Sequence, residues 1–243
     1  MTGSVRALVF DVFGTVVDWR KTVIQEGIAL GSAKGKQIAW EEFADRWRVE
    51  GYVRGVDDVS AGKLPWMNAD ELHRRKLDEL LIEYGLELNE AEAAHFNRVW
   101  HRLEPFPDAV VGLEQLRQRY TIAPLSNGNV SLLTNMAKRA DIRWDCILSG
   151  ELFKKYKPDP QVYLGGARLL GLEASETMLV ASHTSDLEGA RRAGLATAFV
   201  GRPHQWGIGG PLEPKPSDAF DVVAVDFIDL ADKLLTIRVP AFR

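Results

Sequence analysis

One cysteine, Cys146, is present in 243 residues. An intrachain disulfide is therefore excluded, and a reducing compartment is expected. Cys146-Ile147-Leu148 reads as strand, with the thiol as a small buried hydrophobe and not a nucleophile. No run approaches the ~18 consecutive apolar residues that a membrane span requires. No charge of one sign dominates either. Thirty Lys and Arg face 34 Asp and Glu, for a formal net charge of −4, which argues against nucleic acid or an anionic membrane surface as a partner. Internal repeats and low-complexity tracts are absent. The first strand starts within a few residues of Met1, which leaves no room for a signal peptide, so a cytoplasmic location is expected. What is present is ordinary globular composition, 46% hydrophobic and 26% charged, in a chain long enough for an α/β core with an insertion.

The order of elements is a strand, a long helical block, then alternating strands and helices. Val5 to Phe10 is an apolar run that reads as a buried parallel strand ending at Asp11. The helical block runs from about Trp19 to Leu103. Trp40, Phe43, Ala44, Trp47 and Gly51 fall at helical spacing. Asn68 with Glu71, and Asn89 with Glu92, have the spacing of capping boxes, and Gly85 suits a helix C-cap. Leu77, Leu80, Leu81 and Tyr84 form one apolar stripe; Ala93, Phe96, Trp100 and Leu103 form another. After Pro105-Phe106-Pro107 the pattern predicts helices over 111–120, 130–140, 160–170 and 186–193. Strands are predicted over 121–125, 177–181 and 196–200, and a surface loop over 211–216. Alternation of this kind implies right-handed crossovers and a parallel sheet. The simplest organisation is a Rossmann-like, doubly wound α/β core of residues 1–17 and 106–243, with a helical cap of residues 18–105 inserted after the first strand. Such a cap would close a site at the strand ends and exclude water.

Four predicted strand ends carry polar groups, where ligands bind in open α/β sheets. Asp11 is followed by Gly14 and Thr15; a carboxylate here can serve a site or merely cap the next turn. Ser126-Asn127-Gly128 offers a hydroxyl, an amide and backbone donors beside a helix start, or is an ordinary Asn-Gly turn. Lys157-Pro158-Asp159-Pro160 places one lysine directly before a proline-constrained helix, with Tyr163 one turn in; Lys154 and Lys155 read as a solvated face. Ala181-Ser182-His183 leads to Asp186, which either caps a helix or belongs to the site.

Asp with Thr, then Ser-Asn, then Lys-Pro, then Asp, each at a strand end, resembles the haloacid dehalogenase-like superfamily. Within it the chain is similar to the (S)-2-haloacid dehalogenases, cap included, from Asp11 to about Gly201. The resemblance implies that Asp11 is the nucleophile and that Lys157 orients it and balances its charge. It implies that Asp186 is the acidic residue of the last motif. Thr15, Ser126, Asn127, Tyr163 and Ser182 would contact or line the substrate and halide site. A cap arginine, best placed at Arg46 with Arg48 as the alternative, would receive the halide. The implied reaction converts 2-haloalkanoic acids, haloacetates among them, to 2-hydroxy acids through an aspartyl ester, with inversion at C2. Neither cofactor nor metal is called for, and the implied partner is a small haloacid. Apolar stripes on the cap helices leave a homodimer open.

Two positions depart from the family pattern. Ala181 stands where a hydroxyl is expected near the hydrolytic water. His183 replaces an amide with an imidazole that could act as a base. Phosphatases of the superfamily place a second Asp two residues after the nucleophile; here that residue is Phe13, which neither carries a proton nor binds a hard cation. Rival readings are a Mg²⁺-dependent phosphatase, hydrolysis at another electrophilic carbon such as an azetidine ring, and a non-catalytic binding protein.

Overall fold

The computed structural model describes residues 5–211 and 220–236. β1 (Ala7–Phe10) and β2 (Val17–Asp18) are followed by the helices α1 (Trp19–Lys34), α2 (Trp40–Arg46), α3 (Arg54–Ser60), α4 (Ala69–Glu83) and α5 (Glu90–Asn97). The chain then runs through β3 (Glu104–Pro105), α6 (Ala109–Arg117), β4 (Thr121–Ser126), α7 (Val130–Arg139), β5 (Leu148–Ser149) and α8 (Pro160–Leu169). β6 (Thr177–Ala181), α9 (Thr184–Arg192), β7 (Ala196–Val200), β8 (Val222–Ala224) and α10 (Phe227–Thr236) complete it.

Six strands form one parallel sheet in the order β5-β4-β1-β6-β7-β8. Every residue of β1 and β6 is buried. Helices cover both faces of such a sheet, so its central strands are apolar throughout instead of alternating. The order reverses direction at β1, which has β4 on one side and β6 on the other. That reversal opens a crevice at the carboxyl ends of β1, β4 and β6, the standard ligand position in doubly wound sheets. The expected α/β class and parallel sheet are thus as read from the sequence.

The chain leaves for the helical segment through β2 and returns through β3, and these two pair antiparallel, Val17 with Pro105 and Asp18 with Glu104. Both capping boxes form: Asn68 accepts from the Glu71 amide and Asn89 from the Glu92 amide, each glutamate returning the bond. Trp19, Trp47 and Trp100 are fully buried; Trp19 and Trp100 meet the core rings of Trp206 and Phe13, and Trp47 packs on Trp100 while its indole N–H donates to the His73 carbonyl at 2.8 Å. A buried Trp typically removes 150–250 Å² from water, so these three anchor the segment. A polar clasp adds direction. Asp70 of α4 accepts from Asn129 at the start of α7 (3.0 Å) and meets His101 Nε2 at 2.9 Å, while Asn135 of α7 meets His101 Nδ1 at 3.0 Å.

Trp47–Val53 adopts π-helical geometry between α2 and α3. Insertions of this kind concentrate at functional sites because they shift the residues that follow around the helix axis. Two local expectations need correction, and a third falls largely outside the described residues. α9 begins at Thr184, so Asp186 sits in the first turn and is not the cap; its N–H donates to the His183 carbonyl at 3.1 Å. Cys146 lies just ahead of β5, half-buried, with burial raising the thiol. The predicted loop over 211–216 falls, from 212 on, outside the described residues. No helix among the described residues is long and apolar enough to cross a membrane.

Candidate active site

Asp11 follows β1 directly and is almost wholly buried. The left-handed Gly14 (φ 77°) turns the chain back beneath it. Such a turn brings Thr15 to the carboxylate, and Thr15 Oγ1 donates to Asp11 Oδ2 at 2.8 Å. The hydroxyl can point its proton only that way, because its oxygen already accepts the Ser182 backbone N–H at 3.0 Å. His183 Nδ1 lies 3.0 Å from the same Oδ2. The other oxygen, Oδ1, has one partner among the described residues, Lys157 Nζ, at 3.0 Å.

Lys157 spans two buried carboxylates. Its ammonium also reaches Asp186 Oδ2 at 2.5 Å, and Tyr163 donates its hydroxyl to Asp186 Oδ1 at 2.6 Å. Burial favours neutral forms throughout, yet here the charges win. Burial would raise the Asp11 carboxyl, but Lys157, His183 and Thr15 hold it far below the usual carboxylate range. Burial likewise works against the Lys157 ammonium, but Asp11 and Asp186 raise it above the ordinary lysine value. Both groups are therefore charged at neutral pH. Asn127 sets the lysine's position: its Oδ1 accepts the Lys157 N–H at 2.7 Å and its Nδ2 donates to the Lys157 carbonyl at 3.3 Å.

A cavity of about 310 Å³ opens over these groups. Asp11, Ser126, Asn127, Lys157, His183 and Asp186 line it from the strand ends. Phe13, Arg48, Tyr52, Val53, Val56 and Trp206 supply a largely apolar roof and wall. Phe13 packs over Gly128, where a Cβ would sit 2.9 Å from its ring. The Arg48 guanidinium lies 4.5 Å from the Tyr52 ring centroid, 5.2 Å from Phe13 and 5.7 Å from Trp19. Its Nη1 is buried with no hydrogen-bond partner among the described residues. Burial lowers the Arg48 pKa and pushes the Tyr52 phenol up to about 12. A desolvated guanidinium with an unused N–H, facing the same cavity as a carboxylate, is suited to an anion.

Not every expected residue reaches the cavity. Arg46, the first choice for the cap arginine, is turned away: it pairs with Glu50 at 3.1 Å and Glu83 at 2.6 Å on the outer side of the helical segment. Arg48, the alternative, lines the cavity. Thr15, Tyr163 and Ser182 do not line the cavity. Thr15 and Tyr163 hold the two carboxylates, and Ser182 acts through its backbone N–H while its hydroxyl is buried without a partner. Asn127 lines the cavity and also holds the Lys157 backbone through its amide. Trp206 and Gln205 were missed. Both follow β7, a fifth strand end to which the same reasoning applies.

A model of the haloacid dehalogenase-like hydrolase family matches residues 5–194. The chain belongs to that family. An (S)-2-haloacid dehalogenase of Burkholderia cepacia is 32% identical over 206 residues, covering 83% of this chain and 85% of that protein. The crystal structure of an L-2-haloacid dehalogenase matches with a TM-score of 0.91 and 44% identity, over 95% of this chain and 99% of the other. That of a defluorinating L-2-haloacid dehalogenase matches with a TM-score of 0.92 and 42% identity, over 96% of both chains.

Some hydrolases of this fold use Mg²⁺, so the donor set bears on this one. The gap between Asp11 and Asp186 is bridged by the Lys157 ammonium, and Phe13 offers no oxygen. Among the described residues no group of three His, Cys, Asp or Glu side chains is arranged to hold a metal. A hard divalent cation that takes six or more oxygens does not fit here.

Proposed function

We propose that the protein hydrolyses short 2-haloalkanoic acids to 2-hydroxy acids through an ester on Asp11, with the helical segment, residues 18–105, acting as the cap over the site. The observation that carries this reading is the pairing of an ionised, buried Asp11 with the unpartnered Arg48 Nη1 in one small cavity. Relatives named as (S)- and L-2-haloacid dehalogenases supply the substrate class.

Asp11 Oδ1 keeps a lone pair for attack, whereas Oδ2 already carries two partners. Attack on C2 forms the O–C bond and breaks the C–halogen bond. The halide leaves toward Arg48, whose aromatic surroundings suit a large, weakly basic anion. Attack from the side opposite the halide inverts C2. Ser126 and Asn127, which line the cavity at the end of β4, face the substrate carboxylate. Water then adds to the ester carbon and loses a proton to Asp186. The Asp11 Oδ1–Cγ bond breaks, and the departing alkoxide takes a proton from Lys157. Asp186 returns its proton to Lys157, and the regenerated Asp11 carboxyl releases one to solvent. Splitting the displacement into two steps is the usual gain from a carboxylate nucleophile.

Halide release from (S)-2-chloropropionate and fluoroacetate, with EDTA present, tests the reading. Chloride release with formation of (R)-lactate is the expected result. No halide from either acid, with phosphate-ester hydrolysis appearing on addition of Mg²⁺, would overturn it.

A further inference from the structure

His183 faces an acceptor oxygen at each ring nitrogen. Nδ1 is 3.0 Å from Asp11 Oδ2, and Nε2 is 3.1 Å from Gln205 Oε1. An imidazole satisfies two acceptors only by donating from both nitrogens, which makes it imidazolium. A general base needs a free lone pair, and this arrangement leaves none. Gln205 is only 3% exposed and its Nε2 has no hydrogen-bond partner among the described residues; its Oε1 packs so close across the Asp11 loop that a Cβ on Gly14 would collide with it.

Resting on the aspartyl-ester reading, we propose that His183 is a cationic oxyanion donor for ester hydrolysis, and that Gln205 is the positioning residue that keeps it doubly protonated. Once Oδ1 is alkylated, Oδ2 is the ester carbonyl oxygen. Water adding to Cγ moves the carbonyl electron pair onto Oδ2. The negative charge then develops against two donors already in place, Thr15 Oγ1 at 2.8 Å and His183 Nδ1 at 3.0 Å. Donors aimed where charge develops act without reorganisation. When the intermediate collapses, the pair returns to the carbonyl and the Cγ–Oδ1 bond breaks; no proton leaves His183. The proton from water goes to Asp186, which faces the same cavity. The charge of His183 also contributes to holding Asp11 ionised in the resting enzyme. The ionisable groups that share the cavity with His183 are Asp11, Lys157 and Asp186 from the core, with Arg48, Tyr52 and Asp57 from the helical segment.

The experiment follows the Asp11 ester by rapid quench and intact mass across pH 5–10, in wild type, His183→Asn, His183→Leu, Gln205→Glu and Gln205→Met. Wild type should hydrolyse the ester well at low pH and lose rate as pH rises through the His183 pKa. Gln205→Glu, an acceptor without N–H groups, should keep the rate and move that loss to higher pH; Gln205→Met should move it lower. His183→Asn, which still donates an N–H to Oδ2 but carries no charge, should lose the pH dependence and hydrolyse the ester at about the rate that wild type keeps at high pH. His183→Leu should form ester but accumulate it, with hydrolysis about 10²–10³-fold slower, the usual effect of losing one oxyanion donor. A hydrolysis rate that instead rises with pH through the His183 pKa, and falls at neutral pH in Gln205→Glu, would overturn the proposal and make His183 a base. Absence of any ester in the wild type would overturn the aspartyl-ester reading itself, a separate outcome.

Discussion

Replacing Lys157 with methionine removes the cation from between two buried carboxylates while keeping the length of the side chain. Nζ lies 3.0 Å from Asp11 Oδ1 and 2.5 Å from Asp186 Oδ2. At an effective dielectric of about 20, a single unit charge at that first distance contributes about 5.5 kcal/mol of attraction. Desolvation of the ions offsets part of this, and removing one partner of a buried pair costs about 3–5 kcal/mol in net stability. For a chain of this size such a loss lowers Tm by on the order of 10 °C. The pH dependence carries more information than the size. In the wild type Asp11 is held below its ordinary value of 3.8, so its stabilising contribution is complete above that pH and is lost only as pH falls through the depressed value. Without Lys157, burial is opposed by His183 and Thr15 alone, and the Asp11 pKa moves up. Protonation then relieves the variant of an uncompensated buried charge. The stability gap between wild type and Lys157→Met should therefore be widest at neutral pH and narrow as the solution is acidified. Thermal melts at several pH values read the gap, and halide release reads activity, which should fall about 10³-fold or more because both positioning and proton transfer are lost. A variant with near-normal turnover, or a gap that widens on acidification, would refute this account of Lys157.

The two arginines separate cleanly. Arg48→Leu should reduce ester formation by about 10²-fold or more, because the only role the cavity offers its buried Nη1 is to receive an anion; Arg46→Leu, which breaks partly exposed pairs with Glu50 and Glu83, should leave kcat unchanged. Pre-steady-state quench of both variants reads the difference, and equal losses would contradict the placement. Asp70→Ala should destabilise by about 1–3 kcal/mol, since it strands the buried His101 and Asn129 that Asp70 satisfies, with a smaller effect on kcat than on Tm; a stability change near zero would show that the clasp does not hold the helical segment to the core.

Much of this site was legible because a parallel sheet collects its chemistry at one edge. Asp11, Ser126, Lys157 and Asp186 are far apart in sequence, yet each follows or nears a strand end, and the strand order brings them together. The capping boxes at Asn68 and Asn89 were equally plain, since both bonds of each box are set by residues three apart. The helical segment was harder. Arg46 and Arg48 flank Trp47 by about 100° on either side of an ideal helix, so the apolar stripe that buries Trp47 cannot choose between them. The π-helical stretch from Trp47 then alters the register in which Arg48 and Tyr52 meet the cavity, and composition does not announce it. The second task of Asn127 was hidden for a different reason: it lines the cavity as its chemistry suggests, but no local pattern announces that its amide also holds the Lys157 backbone, 30 residues away.

The central claim is that Asp11 itself becomes covalently bonded to the substrate. A single turnover in H₂¹⁸O, with enzyme in excess over (S)-2-chloropropionate, tests it most directly. Mass analysis of the peptide containing Asp11 and of the lactate should find the label in Asp11 and unlabelled lactate, because the oxygen of the product comes from the carboxylate and the oxygen of water replaces it. Label in the lactate with Asp11 unlabelled would mean that water attacks C2 directly, and the ester mechanism would be wrong.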